Sequence, residues 1–459
     1  MPKINKSDKF LKLVTKHKEA KKTEKFEGTL ADYLEILEGD ISPTKLAHKR
    51  LYDAIADHGI TRMDKSDPRC SKILLGPVGA GKSALMERIK TVLEETEPMY
   101  HIKDCPIHEN PLHLIPRSLR DEFSEIYGVK IEGDLCPVCR HNLKENGNDY
   151  MSMPVAQSSF SVRGRRGVGV VPPMDANSQD VTILVGSEDI SKLDLYSEDD
   201  PRVLSLNGAF NVGNRGIVEF VEVFKNEIEF LHTMITATQE KAVPSPGKGP
   251  MIYFDGVILA HCNEAEWNKF KSENTNEAIL DRIVRVNVPY SLEYTEEQKI
   301  YEKLLGLSDF DGHIAPHTLE VASMFAVLSR LHPSNKVDPL TKMKIYNGKD
   351  VIEQGHVKKV DINDLRDEAR DEGMTGISTR FIMKAIDAAL SDSDKDMVTP
   401  ISIRDALIKQ VKDQIVVEDD RNRYLDFLGK TLHDEYLNIL EKEITKAFVS
   451  AYDEQAESL

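Results

Sequence analysis

Gly76-Pro77-Val78-Gly79-Ala80-Gly81-Lys82-Ser83 is a glycine-rich loop of the pattern G-x-x-x-x-G-K-[ST]. The short apolar run Ile73-Leu74-Leu75 leads into it, and Leu85, Ile89 and Val92 recur after it at helical spacing. Strand, loop and helix N-terminus in that order make a phosphate cradle. The glycines let successive backbone N–H groups face the ligand with no Cβ in the way, and the positive end of the helix points there too. Lys82 then reaches the β- and γ-phosphates, and Ser83 holds Mg²⁺. A glycine turn that binds nothing leaves the lysine unexplained, so the motif predicts binding of ATP or GTP.

Outward from this loop, three further apolar runs read as strands: residues 217–221, 257–260 and 283–288, the last closed by Pro289. Helical patterns separate them. This alternation predicts an α/β fold, a doubly wound parallel sheet ending near residue 290. Beyond it helical periods take over, in Leu319, Ala322 and Ala326, in 381–390 and 402–415, and in Leu425, Leu428, Leu432, Tyr436 and Ile439. The predicted division is an N-terminal helical region (1–58), a P-loop core (59–290) with an insertion at about 100–180, and a lid with C-terminal helices (291–459). Residues 146–180 are rich in Gly, Ser, Pro and Arg and read as a mobile loop tipped by Arg163, Arg165 and Arg166. The lysine-rich stretch 3–25 reads as a solvated helix with one apolar edge.

Composition narrows the setting. A chain of 459 residues, 40% hydrophobic, has material for sizeable cores, and a net charge of −17 repels nucleic acid and anionic membranes as a whole. Five cysteines, Cys70, Cys105, Cys136, Cys139 and Cys262, are too few for a disulfide scaffold. No stretch is apolar for long enough to span a membrane, and the N-terminus lacks a signal-peptide core. The expectation is a cytoplasmic protein with neither a membrane nor a nucleic-acid partner.

A phosphate loop needs acid on a second strand. Gly216-Ile217-Val218-Glu219-Phe220-Val221-Glu222 supplies it, with Glu222 at the strand end as the expected water activator and Glu219 inside the strand. The next strand ends in His261-Cys262-Asn263-Glu264, where Asn263 fits a residue that positions water near the γ-phosphate, or else a plain turn former. Arg282, just before the last strand, is placed to cross to a neighbouring subunit's nucleotide or, more simply, to pair with Asp281.

The order of phosphate loop, Glu-ended strand, Asn-ended strand, Leu280-Asp281-Arg282 and helical lid resembles AAA+ ATPases. Longer strings resemble one family among them, PrkA, named for bacterial serine protein kinases. They are 214–222, Ala237-Thr238-Gln239-Glu240, 259–264, Asn276-Glu277-Ala278, Val288-Pro289-Tyr290 and 371–380. The resemblance implies a homo-oligomeric, hexamer-type ring with a helical lid, in which Arg380 senses the γ-phosphate. Three departures stand out. The segment ahead of the first strand is shorter than the family's; Val221 occupies the place where many AAA+ proteins put a metal-holding Asp; and the chain ends where the family continues into a further C-terminal domain, so that domain is expected to be missing. None of the eukaryotic-type kinase motifs occurs, and Asp309-Phe310-Asp311-Gly312 lacks their supporting set.

Cys105-Pro106-Ile107-His108 and Cys136-Pro137-Val138-Cys139 are two pairs with the two-residue gap that turns both members onto one ion. They predict a structural Zn²⁺ held by Cys105, His108, Cys136 and Cys139, with His141 or His101 as substitutes; two pairs of buried free thiols are the alternative. The functional expectation is an ATP-hydrolysing AAA+ protein that remodels or regulates a protein partner. The alternatives are a serine protein kinase using the same ATP, and an ATP-binding regulator that does not hydrolyse it.

Overall fold

The computed structural model describes residues 26–58, 77, 79–173, 180–197, 200–226, 228–247, 249–273, 276–280, 286–306, 313–349, 352–353, 356–357, 360–391 and 397–457. They fall into two compact units, one within residues 1–60 and 83–283, the other within 61–82 and 284–459. The lysine-rich stretch 3–25 and the expected strand at 73–75 lie outside the described residues, as do residues 283–285 of the expected last strand.

The first unit opens with β1 (Glu27–Thr29) and α1 (Leu30–Gly39). Thr29 ends the strand and caps the helix: Asp32 N–H donates to its hydroxyl, and its own N–H donates to the Asp32 carboxylate at 2.7 Å. Two orphan donors are satisfied at once. α2 (Ala47–Asp57) begins where Ala47 N–H meets the Asp255 carboxylate at 3.0 Å. α3 (Lys82–Glu94) and β2 (Met99–Ile102) follow, then α4 (Pro137–Glu145) and β3 (Pro154–Ser158), which joins β1 and β2 in an antiparallel sheet of order β1-β3-β2.

The second sheet is parallel throughout. It consists of β4 (Val168–Val171), β5 (Ile217–Val221) and β6 (Val257–His261), all parallel, in the order β6-β5-β4. Parallel strands need long crossovers. The one between β5 and β6 contains α5 (Ile228–Gln239), and α6 (Glu264–Ser272) follows β6. The central strand is buried on both faces from Ile217 to Phe220, Glu219 included, as a parallel strand between two neighbours should be. Its Ile217 shares a core with Leu51 of α2, Leu93 of α3, Met99, Phe160 and Val168.

β4 falls inside the stretch expected to be a mobile loop. The glycines that suggested a loop serve close backbone approach instead. A Cβ on Gly169 would sit 2.1 Å from the Ala209 carbonyl oxygen, and one on Gly216 would sit 1.9 Å from that of Gly167. The basic tip is tied down as well, with Ser161 bridged to Arg166 and the Arg165 guanidinium donating to the Asn207 carbonyl at 2.8 Å.

The second unit is mainly helical: α7 (Tyr294–Gly306), α8 (Thr318–Arg330), α9 (Pro339–Tyr346), α10 (Thr379–Ser391), α11 (Pro400–Gln414) and α12 (Leu432–Glu457). α8 is its axis. Every residue of that helix except Glu320 is buried, the mark of a helix enclosed by others. It shares one core with Tyr301 of α7, Ile382 and Ile386 of α10 and Leu407 of α11. The strand-free second half expected from periodicity is corrected by two short pairs, His313–Ile314 with Met397–Val398 and Ile352–Glu353 with His356–Val357. Among the described residues, no helix is long and apolar enough to cross a membrane.

Candidate nucleotide site

Gly79 and Gly81 both take φ of +87°, a left-handed conformation that side-chain-bearing residues rarely adopt. That is what a loop turning its N–H groups toward a phosphate requires. Lys82 is the first residue of α3, and its Nζ donates to the Pro77 carbonyl at 2.9 Å, so the ammonium lies over its own loop. Ala80 N–H closes a turn onto the same carbonyl, and Ser83 stands in the helix's first turn. Gly76 and Val78 lie outside the described residues.

β5 and β6 run parallel with Val221 opposite His261, so their C-terminal ends lie side by side. Glu222 follows β5 directly and Asn263 caps α6 just after β6. Two of the expected site residues thus share the sheet edge where open α/β folds bind ligands. Glu222 has φ of +49°, uncommon for a residue with a side chain and a small store of strain at the strand end. Its carboxylate pairs with Lys225, whose Nζ is also 3.8 Å from Glu266. Glu266 N–H in turn donates to Asn263 Oδ1 at 2.9 Å. Asn263 is therefore the N-cap of α6, held through its Oδ1.

Glu219 and Glu222 take different parts. Glu219 is buried and pairs with Lys90 of α3 at 2.9 Å, both side chains 5% exposed, with His261 Nε2 at 3.4 Å. Burial pushes the Glu219 carboxyl up, but the hydrogen bonds and charges of His261 and Lys90 outweigh it and hold the group below its ordinary value. It ties the phosphate-loop helix to both strands. Glu222 is the acid with access to solvent, its side chain 38% exposed.

In the second unit, Arg380 is the exposed second residue of α10. The preceding Ser378 lies against the phosphate loop, since a Cβ on Gly79 would be 3.5 Å from that of Ser378. The start of α10 is pinned by a buried network. Thr379 Oγ1, Tyr301 OH and Arg330 Nη2 all donate to Glu297 Oε1, at 2.9, 2.8 and 2.7 Å. Arg330 also donates through Nε to the Ile377 carbonyl and through Nη1 to that of Ser291. Burial pushes the Glu297 carboxyl up, and the Arg330 charge outweighs that and holds it down. Sequence reading missed this hub; the signal was a lone arginine closing the nearly all-apolar run of α8. Arg282, with Asp281, lies outside the described residues.

The expected metal ligands are brought together with one exchange. Cys105, Cys136 and Cys139 are buried with their ligand atoms all within 4.8 Å of one another, and the fourth member of the group is Glu109, not His108. His108 takes φ of +51°, which turns its ring aside to meet the edge of His101 at 4.9 Å. The substitutes are engaged elsewhere. His101 Nε2 bonds Ser158 Oγ at 2.9 Å, and His141 Nε2 faces Glu145 at 3.1 Å. Burial pushes the Glu109 carboxyl up to about 7, helped by the Cys136 charge. Burial would also raise the Cys105 thiol, but hydrogen bonds from Cys136 and Cys139 outweigh it and bring it down to about 6.

Residues 71–338 match the family model of the PrkA AAA domain, and residues 340–459 match that of the PrkA serine protein kinase C-terminal domain. The second match overturns the expectation that the family's C-terminal domain is missing. Helical periodicity runs unbroken from lid to terminus, so it marked no boundary there. The chain is 37% identical to the ATP-dependent protease PrkA of Bacillus subtilis (strain 168), over 98% of this chain and 78% of that protein. It is 35% identical to the serine/threonine kinase YeaG of Escherichia coli (strain K12), over 84% of this chain and 61% of that protein. Among solved structures, NtrX from Brucella abortus in complex with ATP aligns at 13% identity and a TM-score of 0.31, covering 94% of this chain and 77% of that one. The BchI–BchD complex of magnesium chelatase aligns at 13% identity and a TM-score of 0.32, covering 83% and 98%. The two family-model matches together span the phosphate loop, the parallel sheet and the helical unit, and the chain belongs to the PrkA family of AAA proteins.

Proposed function

We propose that this protein hydrolyses ATP with Mg²⁺ and uses the cycle to remodel or regulate a protein partner, working as a homo-oligomeric ring. The observation that carries the reading is the shared edge of β5 and β6, where Glu222 and Asn263 stand side by side. The phosphates fit the loop because Gly79 and Gly81 have the left-handed backbone a cradle needs. Lys82 exchanges the Pro77 carbonyl for phosphate oxygen. Ser83, with water, would hold Mg²⁺, and the ion would supply neutralising charge to the phosphates; Val221 offers it no carboxylate. Glu222, released from Lys225, takes the proton of the attacking water, and Asn263 Nδ2 orients that water. Arg380, carried on a helix pinned through Thr379, reports the γ-phosphate, and Arg282 serves the neighbouring subunit.

The relatives' names set the rival outcomes, a kinase and a protease. ATP labelled at the γ-phosphate is incubated with the full chain and an unfolded model protein. Label released as free phosphate with the protein intact supports the reading. Phosphoserine on the protein would replace it with a kinase, cleaved protein with an ATP-dependent protease, and unchanged ATP with a binding regulator.

A further inference from the structure

Three thiols and one carboxylate do not gather in a dry interior without a reason. Cys105, Cys136 and Cys139 are each at most 4% exposed and Glu109 is 1% exposed. Buried polar groups need partners, and buried charges need opposite charge or a metal. Here the partners converge on one point. Backbone N–H groups donate to two of the sulfurs, Glu109 N–H to Cys105 Sγ and Cys139 N–H to Cys136 Sγ, both at 3.4 Å. Such bonds stabilise sulfur as thiolate, the form that binds metal. Cys136 also stands at the N-cap of α4, where the helix end favours negative charge.

We propose that Cys105, Cys136, Cys139 and Glu109 hold one structural Zn²⁺, with Glu109 in the place that spacing alone gives to His108. The edge of a tetrahedron built on Zn–S bonds of about 2.3 Å is about 3.8 Å. The four ligand atoms, all within 4.8 Å of one another, need only a small contraction to meet it. Soft thiolates select zinc over the hard Mg²⁺ of a nucleotide site. Four protein ligands close the tetrahedron and leave no position for water, so the ion joins parts of the fold and performs no chemistry.

The surroundings fit a negatively charged centre. Both Glu109 oxygens accept from Cys136 N–H, at 2.9 and 3.1 Å, and His113 Nδ1 lies 3.1 Å from Oε1 and orients the carboxylate. Hydrogen-bonded ligands of this kind are the usual support of a metal centre. Three thiolates and a carboxylate exceed the charge of one zinc. The compensating cation is Arg215, which is 1% exposed and interacts electrostatically with both Cys105 and Glu109. Among the described residues its Nε and Nη2 have no hydrogen-bond partner, and Tyr33, Asp255 and the neighbouring anionic centre together offset the burial of its charge. The ion would clamp the 105–109 turn to the start of α4, across a stretch with few long elements of its own.

The test is metal analysis of the full chain purified without chelator. One equivalent of zinc is expected, with less than a tenth of that in Cys136→Ser and in Glu109→Ala, and full content in His108→Ala. Cobalt exchanged into the parent protein should give thiolate-to-cobalt charge-transfer bands and tetrahedral d–d absorption. This readout needs no variant, so a variant that fails to fold does not spoil the test. Zinc far below one equivalent in the parent, or a disulfide among the three cysteines in its place, overturns the proposal. So does retention by Glu109→Ala with loss in His108→Ala, which would restore a Cys₃His site.

Discussion

Glu297→Ala removes the acceptor on which three buried donors converge. The Arg330 guanidinium would keep its bonds to the Ile377 and Ser291 carbonyls but lose the one charged partner it has among the described residues, while Thr379 and Tyr301 would lose their acceptor. Both members of the pair are at most 1% exposed, so water does not readily replace the carboxylate. Breaking a buried pair from one side costs about 3–5 kcal/mol. For a unit of this size, each kcal/mol moves the melting temperature by about 2–4 °C, so a fall of about 6–20 °C is expected. Thermal melting of the full chain by far-UV circular dichroism reads it. Replacing both partners, Glu297→Met with Arg330→Met, should recover most of the loss, because no charge is then stranded. A single-variant fall smaller than about 2 °C, or a double variant as unstable as the sum of the two single ones, would refute the reasoning.

Lys82→Ala should weaken ATP binding by a charge-assisted contact of about 1.5–3 kcal/mol, roughly 10- to 150-fold, seen by titration with a fluorescent nucleotide; unchanged affinity would remove the phosphate-loop assignment. Glu222→Gln should bind ATP normally and turn it over at least tenfold more slowly, while a slow Glu219→Gln with a normal Glu222→Gln would assign the acid wrongly. Asn263→Ser keeps a good N-cap on α6 but removes the amide donor, so stability should hold while turnover falls; full turnover would leave Asn263 as a cap alone. Glu219 is held below its ordinary value in the fold, so its contribution to stability is complete above about pH 4.5 and is lost as pH falls through the lower folded value. The difference in melting temperature between the parent and Glu219→Gln should therefore shrink from pH 6 to about pH 3, and a constant difference would argue against the ion pair.

What the sequence made legible follows the strength of local signals. Ile217–Val221 and Val257–His261 were readable because a buried parallel strand is a nearly continuous apolar run, and the glycine pattern placed α3. β4 was not readable. Val168-Gly169-Val170-Val171 is short, follows Arg165, Arg166 and Gly167, and needs Gly169 for contact with the Ala209 backbone, a tertiary cause with no local trace. The thiols of the metal group were legible from the two-residue gaps. The fourth member was not, because spacing counts residues and does not see a left-handed turn at His108 that brings the next side chain inward. The split of roles between Glu219 and Glu222 was half legible. Position in the strand suggested it, but only the Lys90 and His261 partners account for a carboxylate inside a buried strand.

The Lys90 partner bears on the candidate site as well as on folding. Lys90 lies in the helix that begins at Lys82, and its Nζ meets Glu219, three residues before Glu222 on the same strand. His261, at the end of the neighbouring strand and two residues before Asn263, touches the same carboxylate. A slip of β5 by one residue would turn Glu219 to the opposite face, leaving a buried ammonium without that partner and a carboxylate without either of its own. In the observed register these charges are matched. In it, Glu222 and Asn263 emerge together at one edge of the sheet. A buried ion pair contributes little net stability compared with apolar residues of the same volume. Its value at this place is positional: the helix that follows the glycine-rich loop and the two strand ends that carry Glu222 and Asn263 are held to a common centre.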